Sequence, residues 1–409
     1  MKILIFSQVF WPESFRINDV AKTLSKIGHH VEVVTGKPNY PRGEFFDGYR
    51  SLGFQQEDHD GYIIHRVPIL ARGKGALRLA LNYISFVISG LLFSPWLLRG
   101  RKFDVIFVYA PSPILQAIPA IFLGWIRGAP VILWVQDLWP ESLSATGYIK
   151  NKLVLKFVEY IVQFIYRHVD LLLVPSNAFI DPVTKLASDT TVKYYPNSVD
   201  KIFSSPVSVS IPNLDDVIND FSVMFAGNLG SAQAVGVMIE AATLLQEYTD
   251  INFVILGDGS CYDWMLQEVS RCGLSNFYLP GRFPVESMPG FMQKATVLLV
   301  TLADHEIFAA TVPYKIQSYM AAGRPIIVSL NGEGARLVIE AKAGLAAPAE
   351  DARALADAVL EMYRMPLVKR EKLGNNAQSY YKEHFDHDKL LVELINHFEM
   401  ALNNSKELS

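Results

Sequence analysis

The sequence predicts an α/β protein built from two doubly wound, Rossmann-like domains. Three observations carry this. Strand-like runs and helical stretches alternate along almost the whole chain. The strand-like runs are apolar on both faces, as buried parallel strands are. The chain has 409 residues, which suits two domains of about 200 residues better than one.

In the first half, strand-like runs begin at Lys2 (KILIFSQ), His30 (HVEVVTG), Tyr62 (YIIHRVPI), Asp104 (DVIFVYA), Pro130 (PVILWVQD), Asp170 (DLLLVPS) and Val192 (VKYYPN). Helical patterns separate most of them, residues 17–27 and 152–168 among them. Near Asp200 the alternation lapses, and residues 201–219 carry serines, prolines and acids without periodicity, as a linker does. A second series begins at Phe221, Asn252, Asn276, Thr296, Pro325 and Gly344, and helical patterns near 351–363, 368–382 and 388–403 close the chain. The expected division is 1–205 for a first domain, 206–385 for a second, and 386–409 for a helix that packs back on the first. Two such domains would face each other across a cleft between their strand C-termini, where ligands bind in this architecture.

Composition narrows the function. Lys plus Arg number 37 against 41 Asp plus Glu, a net charge of −4, so a dedicated nucleic-acid binder is excluded. Two cysteines, Cys261 and Cys272, exclude a disulfide scaffold and a cysteine-built zinc site. Hydrophobic residues reach 50% and charged residues only 19%, which leaves apolar surface for a lipid or a partner beyond a large core. Met1–Ile5 runs straight into a strand with no signal-peptide pattern, so the cytoplasm is the expected compartment.

Leu79–Leu98 is an apolar run of 20 residues without a charge. Length alone allows a membrane span. Pro95 near its end, and Arg78, Asn82, Ser85 and Ser89 at helical spacing, favour a crossover helix with one polar face instead. Arg72, Lys74 and Arg78 precede the run and Arg99, Arg101 and Lys102 follow it. Such a helix is either core or an interfacial element on anionic lipid. The expectation is peripheral binding without a span, through whichever of Phe86, Leu91, Phe93 and Trp96 are exposed.

Chemistry is expected where strands end. The first βα turn, Ser7–Ser14, lacks G-x-G-x-x-G, which argues against a dinucleotide enzyme; Trp11 and Glu13 would line the cleft. Asp137-Leu138-Trp139-Pro140-Glu141 follows a buried strand, and carboxylates with a tryptophan suit a sugar. Phe225–Gln233 opens the second domain as strand, glycine turn and helix, a phosphate-binding geometry. Gly257-Asp258-Gly259 is a second glycine turn, and Arg282 follows the third strand. Thr311–Pro325 places Thr311 and Lys315 at the start of a helix of small residues that ends at Gly323; a lysine there suits phosphate.

Taken in order, these segments resemble a family-4 glycosyltransferase of the GT-B fold, and within it the WbuB-like branch associated with O-antigen and capsule assembly and amino-sugar transfer. The matching stretches are Lys37-Pro38-Asn39-Tyr40-Pro41-Arg42-Gly43, Asp60-Gly61 with Arg66-Val67-Pro68, Asp137–Glu141, Pro196-Asn197-Ser198-Val199-Asp200, Ala226–Gln233, Gly257–Gly259 and Pro313–Pro325. The resemblance implies retaining, metal-independent transfer, without a cofactor, from a nucleotide-sugar. The donor would be UDP-linked and N-acetylated, with 6-deoxy sugars such as that of UDP-N-acetyl-L-fucosamine included. The acceptor would be a polyprenyl-diphosphate-linked saccharide at the cytoplasmic face of the inner membrane.

The resemblance assigns the nucleotide to Gly227, Asn228, Gly230, Gln233, Gly257, Gly259, Arg282, Lys315 and Ser318, and the donor sugar to Thr311, Val312 and Pro313. It assigns the acceptor to Trp11, Trp139, Glu141, Asn39 and Tyr40. Two glutamates common in the family are absent, since Ala310 and Ser318 stand at their positions, and Gln233 stands near where a lysine is common. Catalysis would then rest on Asp137, assisted by Glu13 or Glu306. Two other readings stay open on the sequence: an epimerase of the same fold, and a non-catalytic binding protein on a transferase frame.

Overall fold

In a computed structural model, strand β1 (Lys2–Phe6) pairs in parallel with β2 (His30–Thr35) on one side and β5 (Val105–Ala110) on the other. Ile3 lies opposite both Val31 and Val105. The structure describes residues 1–145, 151–199, 201–204, 217 and 220–407. The chain forms two units, Met1–Pro196 with Leu390–Ser409, and Asn197–Lys389. The first unit therefore ends at 196 rather than 205, and the C-terminal return begins at 390 rather than 386. Most of the expected linker, 201–219, and Asp200 lie outside the described residues.

The first unit adds β3 (Gln55–His59), β4 (Tyr62–Arg66), β6 (Val131–Val135), β7 (Leu171–Val174) and β8 (Val192–Tyr194), in the order β3-β4-β2-β1-β5-β6-β7-β8. All pairings are parallel except β3 with β4. The sequence pattern misses β3 because QQEDH holds no apolar run; it is a polar edge strand, a composition that discourages further pairing. Its helices are α1 (Arg16–Lys26), α2 (Ala76–Leu97), α3 (Ala117–Arg127), α4 (Glu141–Ala145), α5 (Lys152–Arg167) and α6 (Ile180–Ala187).

Helix α1 buries Ile17, Val20, Ala21 and Leu24, one stripe at helical spacing, against Ile3, Ile5, Val31 and Val33. The same core takes Leu390, Leu391, Leu394 and Phe398 from the last helix, whose rings and methyls meet Val105 and Phe107. Each such side chain contributes about 1.5–3 kcal/mol on burial, enough to hold the C-terminal segment in this unit.

Helix α2 reverses the usual polarity. Its buried residues are Asn82, Phe86, Ser89, Gly90 and Ser94, while Leu77, Leu81, Ile84, Ile88, Leu92 and Trp96 are exposed. Asn82 accepts from Gln8 Nε2 at 2.7 Å and donates to Leu70 O at 2.6 Å. Gly90 lies against Pro119, where a Cβ would come within 2.8 Å. Arg78 apart, the polar line read from the sequence thus faces inward. Of the four expected insertion residues, Phe86 is buried against Phe6, Leu91 and Phe93 are partly buried, and only Trp96 is exposed.

The second unit is a parallel sheet of β9 (Phe221–Ala226), β10 (Ile251–Leu256), β11 (Phe277–Gly281), β12 (Val297–Thr301), β13 (Ile326–Ser329) and β14 (Gly344–Ala347), ordered β11-β10-β9-β12-β13-β14. Its helices are α7 (Val235–Leu244), α8 (Tyr262–Cys272), α9 (Met288–Lys294), α10 (Glu306–Ala310), α11 (Tyr314–Ala322), α12 (Glu333–Glu340), α13 (Ala352–Arg364) and α14 (Leu367–His384). α15 (His387–Glu407) then leads back to the first unit. The strand order reverses between β9 and β12, so the loops leaving those two strands diverge and open a crevice.

Candidate functional site

In the second unit, β9 runs into the turn Gly227–Gly230, and α11 brings Lys315 over it. Gly227 has φ +148, and a Cβ there would overlap Lys315 Cε and come within 2.9 Å of its Nζ. The ammonium lies 3.9 Å from the centroid of the Phe225 ring. Among the described residues it has no anion and no hydrogen-bond acceptor. Burial without a counter-charge pushes its pKa down to about 7. A cation held over a glycine turn, with only an aromatic face beside it, is a ready anion site. Helix α11 is fixed there by Tyr319, whose hydroxyl accepts from Ala226 N at 2.9 Å.

The second glycine turn packs directly against the first. Gly257 has φ +152, and a Cβ on it would overlap Gly227 O; one on Gly259 would overlap Leu229 O. Leu229 N donates to Asp258 O at 2.9 Å, and Gly227 N to Leu256 O at 2.8 Å. Gly257 and Gly259 therefore let the two turns interlock. Gln233 Oε1 accepts from Gly230 N at 3.1 Å and from Asn228 Nδ2 at 3.4 Å. Its carbonyl accepts from Thr301 Oγ1 at the end of β12. Gln233 braces the turn from within, where a lysine would have reached outward.

Other expected residues divide. Arg282 is exposed just after β11 and has no partner among the described residues. Pro313 caps α11, Val312 packs on the core, and Thr311 donates to Ile307 O at 2.7 Å. Glu306 is exposed in the first turn of α10. Ser318 is buried, and its hydroxyl donates to Lys315 O within its own helix.

In the first unit, Asp137 lies just after β6. Ser112 Oγ donates to its Oδ2 at 2.8 Å, and Trp139 Nε1 donates to the same Ser112 Oγ at 3.1 Å. Burial pushes the Asp137 carboxyl up, and the bonds from Ser112 pull it back in part. Trp139 is buried, so it orients Ser112 and offers no open ring for a sugar. Glu141 is exposed at the start of α4.

Glu13 is a clasp. Its Oε1 accepts from Asn39 N and Tyr40 N, both at 2.7 Å, and its Oε2 from Phe10 N at 3.3 Å. Burial raises its pKa and these backbone bonds lower it. With both oxygens engaged it positions the Asn39–Tyr40 loop. Asn39 is likewise engaged, with Arg72 N and Lys37 O. Tyr40 stays exposed, and Trp11 stacks on His59 at 3.9 Å. Sequence reasoning missed Ser112 and Phe225; the Pro-Ser-Pro run after β5 and the aromatic next to the glycine turn were the available signals. Among the described residues, no cluster of three His, Cys, Asp or Glu side chains could hold a metal ion.

Comparison with known proteins identifies the family. Residues 220–365 match the family described as Glycosyl transferases group 1, and residues 14–197 match the Glycosyl transferase 4-like domain. The chain is 23% identical over 353 residues to the putative colanic acid biosynthesis glycosyl transferase WcaI of Escherichia coli (strain K12), across 80% of this chain and 83% of that protein. Sucrose-phosphate synthase from Thermosynechococcus elongatus superposes with a TM-score of 0.74 at 14% identity, over 99% of this chain and 100% of that one. Anabaena HepE, solved with UDP-glucose, superposes at 0.66 with 17% identity, over 98% of this chain and 100% of that one. With the doubly wound sheets and the glycine turn at β9, these matches place the chain among the group 1, family-4 glycosyltransferases, retaining enzymes of the GT-B fold.

Proposed function

We propose that this glycosyltransferase takes its sugar from a UDP-linked donor and adds it to a polyprenyl-diphosphate-linked saccharide during bacterial polysaccharide assembly. The observation that carries the donor half is Lys315, a partly buried cation with no anion of its own, held over Gly227. A diphosphate supplies the missing charge. As the sugar leaves, negative charge grows on that diphosphate, and a fixed cation stabilises it there. Arg282 is the second cation we assign to it. Thr311, Val312 and Pro313 would flank the donor sugar. Asp137 is the carboxylate we assign to the positive charge that develops on the transferred carbon. The UDP complex of HepE and the colanic acid role in the name of WcaI support the donor class and the pathway class. Within that class we favour an N-acetylated donor such as UDP-N-acetyl-L-fucosamine.

The test is UDP release from UDP-N-acetylhexosamines with and without a polyprenyl-diphosphate disaccharide. The reading expects release that depends on acceptor, with the anomeric configuration retained. Isomerised donor without acceptor, or no release with any donor, would overturn it.

A further inference from the structure

Three helices of the first unit, α2, α3 and α5, lie side by side on the face of its sheet opposite α1. Gly90 meets Pro119 between α2 and α3, and Trp125 meets Phe164 between α3 and α5. Their outward faces are apolar. On α2 the stripe Leu77, Leu81, Ile84, Ile88, Leu92 and Trp96 is 38–75% exposed. On α5, Leu153, Phe157, Tyr160 and Phe164 are 40–79% exposed at the same helical spacing. Trp125 of α3 is exposed between them, and Phe54 extends the surface beside Phe93 and Trp96. A patch of this extent on a soluble unit marks a docking surface.

The polarity of α2 makes the case specific. Asn82, Ser89 and Ser94 face the protein, and Leu77, Leu81, Ile84, Ile88 and Leu92 face out. At 1.5 Å per residue the stripe is about 30 Å long. Charge identifies the occupant. The three helices carry five basic residues and one acid, Glu159, in a chain whose acids outnumber its bases overall. Lys74 and Arg78 stand at the start of α2, Lys152 and Lys156 at the start of α5, and all four are exposed. An apolar sheet of side chains with a cationic fringe fits an anionic bilayer surface. A second copy would bring an equally basic fringe against the first. Asn82, Phe86 and Gly90 are docked on Gln8, Phe6 and Pro119, so α2 lies along the surface rather than through the bilayer, although it is long and apolar enough to cross one.

We infer that α2, α3 and α5 seat the first unit in the interface of an anionic membrane, with α2 parallel to its plane. The inference stands on this surface alone, whichever donor the second unit binds.

The experiment is co-sedimentation of the full chain with vesicles of phosphatidylethanolamine and phosphatidylglycerol, against phosphatidylcholine alone. The parent should bind the anionic vesicles preferentially, and less at high salt. Ile84→Ser/Ile88→Ser/Leu92→Ser should lower the partition coefficient by about tenfold or more, the loss that a few unburied methylenes represent. Lys152→Glu/Lys156→Glu should remove the preference for anionic lipid. Circular dichroism and the melting temperature should stay at parent values, because all five side chains are exposed. No binding by the parent, equal binding by the triple variant, bound protein that resists alkaline carbonate, or a dimer that the triple substitution dissociates would each overturn the inference.

Discussion

The Lys315 side chain fills the space into which any side chain at position 227 would project. A Cβ on Gly227 would overlap Lys315 Cε, and the ammonium rests 3.9 Å from the Phe225 ring centroid. The two residues lie far apart in the second unit's sequence and meet because β9 and β12 are neighbours at the point where the strand order reverses.

Alanine at the two glycines should separate strain from function. At Gly257 the new Cβ would meet the backbone oxygen of Gly227, which cannot move without opening the turn. Gly257→Ala should therefore cost about 1–3 kcal/mol or more in urea unfolding, from positive φ and overlap together. Gly227→Ala meets only the end of a flexible lysine. It should cost less stability but displace Lys315, and lower UDP affinity measured by calorimetry.

Asp137→Asn should reduce turnover about a hundredfold or more and leave the UDP dissociation constant at its parent value. Burial raises the Asp137 pKa, so the acid limb of the parent kcat profile should lie above the ordinary carboxylate range. Activity should fall as pH drops through it. The Asn variant should lack that limb.

Glu13→Ala should loosen the loop at Asn39 and Tyr40. Losing three backbone partners at a buried site should cost about 1–3 kcal/mol in stability. Steady-state kinetics should show a higher acceptor KM with donor affinity unchanged.

Glu32 is a stability residue with a defined pH window. Burial raises its pKa, but hydrogen bonds from His65, Arg101 and His30 more than offset this and hold it at about 2 against an ordinary 4.5. A carboxyl lowered on folding stabilises the fold above its unfolded pKa. Urea unfolding should show the contribution in full above pH 4.5 and losing it as pH falls towards about 2. Glu32→Gln should be less stable at neutral pH, and the difference should shrink across that window.

The central parallel strands were legible because burial on both faces demands an apolar run; Ile3-Leu4-Ile5 and Val297–Thr301 need no tertiary information. The polar edge strand β3 was not, since its pairing depends on β4 being there. The glycine turn and Lys315 could be read from residue type and position at a helix start. That Gly257 serves Gly227, that Ser318 turns inward, and that Glu13 is occupied by Asn39 and Tyr40 are contacts between segments far apart in sequence. Helix α2 shows the limit most clearly. Periodicity gives its two faces, but which one docks was decided by Gln8 and the Leu70 carbonyl, partners that satisfy Asn82.

The central claim is that Lys315 holds the donor diphosphate, and titration of UDP into the parent and Lys315→Met tests it most directly. In the free protein the lysine titrates at about 7. Below that pH it is charged and ready for the diphosphate. Above it, binding must draw in a proton, so parent affinity should fall as pH rises, and calorimetry in buffers of different ionisation enthalpy should record proton uptake. The variant should bind UDP about 1–3 kcal/mol more weakly near neutral pH and without that proton. Equal affinity and equal pH dependence in the two proteins would contradict the account.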